Sequence, residues 1–253
     1  MTTSAVRTEE DRGLIHVILD HGANAIGKEL LEALETTLGE LRGAGAPPLI
    51  LRSSHPRIFS PGWDLKELID ADGATVTDFL IRFSRLIADL FSYPGPTAAA
   101  IGGHAIAGGC ELALACDFRI MAAGRARIGL SEVNLGVPVP GASLVMLKAR
   151  LTPAVVADLV FHGDGLTAQR AHELGIVQRV VVDRNVEEVA EKELLTQRAK
   201  SPRGYRTIKQ ALYGEAWRDC SRAAEEGVDA FLECWFDETT QDRLTVVVRR
   251  LSG

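Results

Sequence analysis

The chain has no apolar run approaching the ~18 residues that a membrane-crossing helix needs, and no Cys-x-x-Cys pair or His-x-x-x-His spacing. The first absence argues against a membrane span and the second against a metal site. Lysine and arginine are scattered rather than clustered, and the net charge is −6, which argues against nucleic-acid or membrane-surface partners. Nor does the N-terminal MTTSAVRTEEDRG carry an apolar segment of the signal-peptide kind. The expected location is therefore cytoplasmic. Only four cysteines occur, and Cys110 and Cys116, among small residues, read as buried small hydrophobes. What remains is an ordinary globular composition, 46% hydrophobic and 25% charged over 253 residues. That length suits one α/β domain, or such a domain with an appended helical part.

The chain is organised around Thr97–Gly141. An apolar run at Thr97–Ile101 predicts a buried strand, and Gly102, Gly103, Gly108 and Gly109 follow it. A helix is predicted at Cys110–Ala115 and a second buried strand at Phe118–Ala122. A glycine turn leading into a helix leaves backbone N–H groups unpaired and facing a ligand. Two carboxylates lie near that turn: Glu111 in the first helical turn, and Glu132 in a loop bounded by Gly129 and Gly136. Amide donors for an oxyanion, with carboxylates beside them, are the parts that proton transfer next to a carbonyl requires.

The rest alternates in the same way. Strands are predicted at Ala5–Glu9, Leu14–Leu19 and Pro47–Arg52, and helices at Gly27–Arg42 and Thr77–Phe91. Asp20–Asn24 is a turn and residues 54–66 a loop. This succession implies right-handed crossovers and a largely parallel sheet. After Gly141 one strand is predicted, Val177–Val182, among helices at 153–161, 168–174, 186–200, 203–213, 219–235 and 239–250. The candidate boundary at Asp183–Val186 divides the chain into residues 1–185 and a helical region, 186–253.

Three segments, in order and at matching spacing, resemble the crotonase superfamily, the enoyl-CoA hydratase/isomerase fold. Asn24-Ala25-Ile26 resembles its N-A-L. Phe59-Ser-Pro-Gly-Trp-Asp-Leu-Lys-Glu-Leu68 resembles F-x-x-G-x-D-[IL]-x-E-[ML]. The central stretch resembles G-x-x-x-G-G-G-x-E-L-x-x-x-C-D followed by x-P-E-x-x-L-G-x-x-P. The resemblance covers roughly the whole chain. It implies an α/β crotonase-like spiral of ββα units with a C-terminal helical region, assembled as a homotrimer or a dimer of trimers. Late apolar residues such as Phe231, Trp235, Phe236 and Val246–Val248 would then be partly covered by neighbouring subunits.

The resemblance also implies roles. The N–H groups of Trp63 and Gly108 would form an oxyanion hole for the thioester oxygen of an acyl-CoA. Gly108 would be needed there because a side chain would obstruct the ligand. Ala23, Asn24 and Ala25, with Asp64, Leu65 and Lys66, would hold coenzyme A, which is part of the substrate; no separate cofactor is implied. Lys66 is either a partner of a CoA phosphate or a solvated lysine. Asp64 also reads as a turn cap, Asp117 as a strand-start contact, and His104 as a turn residue rather than a base. Trp63 departs from the small or aliphatic residue usual at its position, which leaves the acyl size open.

Glu111 and Glu132 are the candidate catalytic residues. A lone glutamate in a first helical turn is favoured there by the helix dipole alone, and a loop glutamate caps nearby amides. The surrounding motifs favour catalysis for both. Family hydratases have both glutamates, which favours hydration of a 2-enoyl-CoA to a 3-hydroxyacyl-CoA. The Phe59–Leu65 and Gly129–Gly136 loops resemble those of Δ3,Δ2-enoyl-CoA isomerases, in which Glu132 alone would shuttle the proton. Pro140-Gly-Ala-Ser-Leu144 replaces the G-x-G-G-T run of many hydratases. Hydrolase, decarboxylase and C–C lyase chemistry, and a catalytically silent binding module, are the other readings open on this fold.

Overall fold

The computed structural model describes residues 5–182 and 185–252. Its first strands, β1 (Val6–Asp11) and β2 (Leu14–Leu19), form an antiparallel hairpin. β1 is a charged edge, which discourages further strand pairing, whereas β2 is almost wholly buried. Helix α1 (Lys28–Gly43) buries Leu30, Leu31, Leu34 and Leu38, the stripe its leucine spacing predicts.

Three strand pairs then build the spiral. β3 (Leu49–Ser53) is followed by β4 (Ile58–Ser60), then by α2 (Leu65–Leu68) and α3 (Gly73–Phe91). β5 (Thr97–Ile101) is followed by β6 (His104–Ile106) and α4 (Gly108–Ala115). β7 (Phe118–Ala122) is followed by β8 (Arg127–Gly129) and α5 (Glu132–Leu135). The first strand of each pair joins one sheet and the second joins another. The chain continues through α6 (Gly141–Arg150), α7 (Pro153–His162), β9 (Leu166–Thr167), α8 (Ala168–Glu173) and β10 (Arg179–Val181). The large sheet thus has the order β1-β2-β3-β5-β7-β10, parallel from β2 onward. The small sheet runs β4-β6-β8-β9, and its first three strands are parallel. This is the spiral of ββα units that the resemblance implies.

Four helices close the chain: α9 (Val186–Arg198), α10 (Pro202–Ala223), α11 (Val228–Trp235) and α12 (Glu238–Ser252). The expected domain boundary falls beside Asp183 and Arg184, which lie outside the described residues, as do residues 1–4 and 253. On its far side, α9 lays Val186, Ala190 and Leu194 over Leu14, Ile50, Ala98 and Ile120 of the large sheet. The main core fills the space between the sheets and α1, α3, α4 and α6.

Local chemistry explains where the elements depart from expectation. α3 starts four residues before the predicted Thr77, because the Asp72 carboxylate accepts the Thr75 amide at 2.8 Å and caps it. The expected loop at 54–66 contains β4 and the start of α2. His104 is in strand β6 rather than a turn, its amide donating to Arg57 O at 2.9 Å. The stretches 203–213 and 219–235 are divided differently: α10 runs unbroken to Ala223, and Gly227, at φ 80°, separates it from α11. α6 was not anticipated. Phe231 and Trp235 correct a further expectation, since both are at most 4% exposed in the single chain and need no neighbour to cover them.

Candidate active site

Two loops meet where the spiral places the N-terminus of α4. Ala107 is held at φ 51° and ψ −125°, a sparsely populated conformation for a residue with a Cβ. It swings the chain from β6 into α4. The first helical bond runs from Glu111 N to Ala107 O at 3.0 Å, so the Gly108 amide lies ahead of the ladder. On the facing loop, Ile26 N donates to Gly62 O at 2.8 Å and Asp64 N donates to Ile26 O at 2.9 Å. These bonds pin the peptides on either side of Trp63. Neither the Trp63 nor the Gly108 amide has an acceptor among the described residues. Gly62, at φ 98°, brings the loops together: a Cβ there would stand 3.1 Å from the Gly108 nitrogen.

The absence of a side chain at Gly108 also leaves room for its aromatic neighbours. A Cβ there would stand 3.1 Å from Phe83 Cζ and 3.2 Å from Trp63 Cδ1. Trp63 itself is fixed edge-on to Phe79 and Phe83, with ring centroids 4.9 and 5.5 Å away. On its other side stand Phe231 and Trp235 of α11.

Both glutamates line the same cavity, of about 750 Å³, as Trp63 and Gly108. Glu111 is 1% exposed and accepts a hydrogen bond from Ser143 Oγ through its Oε2. Burial and then the nearby Glu132 push the Glu111 carboxyl well above the usual range, against the Ser143 bond. Burial also raises Glu132, opposed by the amides of Glu132 and Ser131 and by Glu111. Burial thus disfavours the charged form of both carboxyls. Glu132 Oε2 is buried and has no hydrogen-bond partner. Two buried carboxyls beside two unpaired amides give this cavity candidates for an acid, a base and the donors a developing oxyanion needs.

Around the cavity the residues expected to hold coenzyme A divide. Ala23, Ala25, Asp64, Leu65 and Lys66 line it. Asn24 does not: its Nδ2 donates to Ser53 Oγ at 2.7 Å and to Phe59 O at 3.1 Å, and its Oδ1 accepts the His21 amide at 3.0 Å. Asn24 thus builds the turn that carries Ala23 and Ala25. Asp64 caps α2, accepting from Lys66 N at 3.0 Å. Lys66 Nζ donates to Leu251 O of α12 at 2.7 Å. Asp117 lies at the start of β7 as expected, within a buried network far larger than a strand-start contact. Among the described residues, no three His, Cys, Asp or Glu side chains are grouped to hold a metal ion.

A sequence profile described as enoyl-CoA hydratase/isomerase matches residues 9–241. The chain belongs to the enoyl-CoA hydratase/isomerase family. Mouse mitochondrial methylglutaconyl-CoA hydratase is 35% identical over 176 residues, 68% of this chain and 56% of that protein. The match thus spans little more than half the length of that curated relative. A probable enoyl-CoA hydratase of Bacillus subtilis is 33% identical over 233 residues, 83% of this chain and 88% of that one. In three dimensions the chain is similar to human mitochondrial Δ3,Δ2-enoyl-CoA isomerase, with TM-score 0.89 and 98% of each chain covered. That likeness, at 24% identity, is one of fold.

Sequence reasoning missed several residues that this family member brings to the cavity. Phe231 and Trp235 of α11 and Val247 and Leu251 of α12 also line it. They lie more than 90 positions beyond Glu132 in the chain, and no local motif marks them. Ser143 stands in the Pro140–Leu144 departure from the hydratase pattern, which was the one signal pointing to it.

Proposed function

We propose that the protein adds water to a 2-enoyl-CoA to give a 3-hydroxyacyl-CoA. The observation that carries this reading is the buried Glu111–Glu132 pair, which faces the cavity beside the unpaired amides of Trp63 and Gly108. The two amides donate hydrogen bonds to the thioester oxygen as negative charge develops on it. A water between the carboxyls adds its oxygen to C3, the carboxylate of the pair takes its proton, and the carboxylic acid gives one to C2. Proton movement between the glutamates then restores the pair. Addition needs one acid and one base at once, and in this reading one of the two carboxyls, both raised by burial, carries the proton while the other is ionised. Coenzyme A enters as part of the substrate, its nucleotide side toward Ala23, Ala25 and Lys66. Crotonyl-CoA incubated with the protein should give 3-hydroxybutyryl-CoA; an unchanged substrate sinks the reading.

One observation favours a second reading. Glu132 has a free oxygen whereas Glu111 is engaged by Ser143. A single free carboxylate suffices for a 1,3-proton shift, so isomerisation of a 3-enoyl-CoA is the alternative. A 3-enoyl-CoA incubated in parallel separates the two by its product.

A further inference from the structure

Ser143 is fully buried in the first turn of α6, and its Oγ donates to Glu111 Oε2. The turn that carries it is wedged in place. A Cβ on Gly141 would lie 2.6 Å from Ala223 O at the end of α10, so the two backbones are in direct contact. The Cys220 thiol of α10 donates to Ala142 O at 3.3 Å. Leu144 N closes the first helical bond on Pro140 O at 3.0 Å. The hydroxyl is therefore held where it is by α10 and by its own helix.

A protonated carboxyl has one hydroxyl and one carbonyl oxygen, and they differ as partners. A donor aimed at one oxygen makes that oxygen the carbonyl and leaves the proton on the other. We propose that Ser143 is a positioning residue that fixes the proton of Glu111 on Oε1, so that the acid is presented toward Glu132 rather than into the protein. This rests on the hydration reading, in which Glu111 and Glu132 exchange a proton in each cycle. Without the serine, either oxygen of Glu111 carries the proton and only one arrangement is productive. The groups facing Glu111 are few. Glu132 comes from α5 and the Cys110 thiol from α4 itself, while α3 sends Phe83 to the first turn of α4. Ser143 is the polar group supplied by α6.

The test uses Ser143→Ala, Ser143→Thr and Glu111→Gln in the full chain. The first readout is the infrared carbonyl band of a buried carboxylic acid. The parent should show such a band and Glu111→Gln should remove it. Ser143→Ala should move it to higher frequency, since the carbonyl loses its donor, and Ser143→Thr should restore it. The second readout is crotonyl-CoA hydration. In Ser143→Ala, kcat should fall about tenfold, the scale of one lost hydrogen bond, with KM unchanged because the serine touches no substrate. The bond favours the ionised form of Glu111. Its loss should therefore move the alkaline limb of the kcat profile to higher pH. The proposal is overturned if Ser143→Ala leaves the band where the parent has it, if no parent band is removed by Glu111→Gln, or if the band moves while kcat does not. A parent that hydrates nothing refutes the hydration reading alone, and the infrared comparison still decides the placement of the proton.

Discussion

Gly109 and Ser60 are in backbone contact: a Cβ on Gly109 would lie 2.2 Å from the Ser60 carbonyl oxygen. That contact seats the N-terminus of α4 on β4 and so sets the spacing between the loops that carry Trp63 and Gly108. Rotamer changes cannot relieve a clash between a Cβ and a backbone carbonyl, so Gly109→Ala should cost about 3 kcal/mol or more. For a chain of this size that is a fall of roughly 10 °C in Tm. Gly108→Ala should differ, because its Cβ would meet side chains, Phe83 and Trp63, at 3.1 and 3.2 Å. It should fold with a smaller loss of Tm while kcat falls ~100- to 1,000-fold, the scale of one lost oxyanion donor. Thermal melts and turnover of both variants check this; a Gly109→Ala protein that melts with the parent refutes it.

The two carboxyls should separate by reaction. Glu132→Gln keeps the shape and removes the titrating group, so hydration and isomerisation should both fall ~100- to 10,000-fold. Glu111→Ala removes the second carboxyl of the pair. Hydration should be abolished, because it needs an acid and a base together, whereas a 1,3-shift through Glu132 should partly survive. Assays with crotonyl-CoA and a 3-enoyl-CoA measure the two losses. If Glu111→Ala hydrates crotonyl-CoA at the parent's rate, isomerisation becomes the better assignment.

Strands β2, β3, β5 and β7 were legible because a parallel sheet covered on both faces writes itself as continuous apolar runs, such as Leu14–Leu19 and Thr97–Ile101. Strands β4, β6, β8 and β9 have two or three residues each, too few to show a period. They exist because the spiral brings them side by side. Glu111 and Glu132 were legible because they lie in local motifs beside the turn they serve. Trp235 and Leu251 were not, since helices remote in sequence deliver them to the cavity, and Ser143 shows its role only once the first turn of α6 brings its hydroxyl to Glu111. Phe231 and Trp235 were assigned to a subunit contact for the same reason: an apolar stripe on a late helix does not say which surface will cover it.

The same burial that tunes Glu111 should weaken the fold. Its carboxyl is raised in the folded protein, so the folded state holds the proton where the unfolded chain would release it. Below the ordinary carboxylate range, near pH 4, both states are protonated and burial costs nothing extra. As pH rises past that range, stability falls until the folded carboxyl ionises too. Each tenfold loss of acidity corresponds to about 1.4 kcal/mol. Glu111→Gln should therefore melt several degrees above the parent at pH 8, with the difference shrinking toward pH 4. A variant less stable than the parent at pH 8 would show that the carboxyl is not strained by its site.

Asp117 should behave in the opposite way. It lies at the start of β7, where its carboxylate accepts from Lys209 Nζ at 2.7 Å, Tyr205 Oη at 2.9 Å, the Thr97 amide at 3.1 Å and Arg150 at 3.3 Å. The Lys209 and Arg150 side chains are only 5% and 4% exposed. Burial opposes the charge on Asp117, yet Lys209 and Arg150 outweigh it and hold the carboxyl below its usual range. The network ties α10 and α6 to the large sheet. Asp117→Asn keeps the size but leaves two cations buried without their counter-charge, which should cost about 3–5 kcal/mol at pH 7. The sign with pH follows from the lowered value. The stabilisation is complete above the ordinary carboxylate range and is lost as pH falls through the folded value, below about pH 4. Urea unfolding of parent and Asp117→Asn should therefore differ most at neutral pH and converge in acid. A variant within about 1 kcal/mol of the parent at pH 7 would mean that the backbone carbonyls Lys209 and Arg150 also meet, those of Tyr93 and Ala115, are enough to hold them.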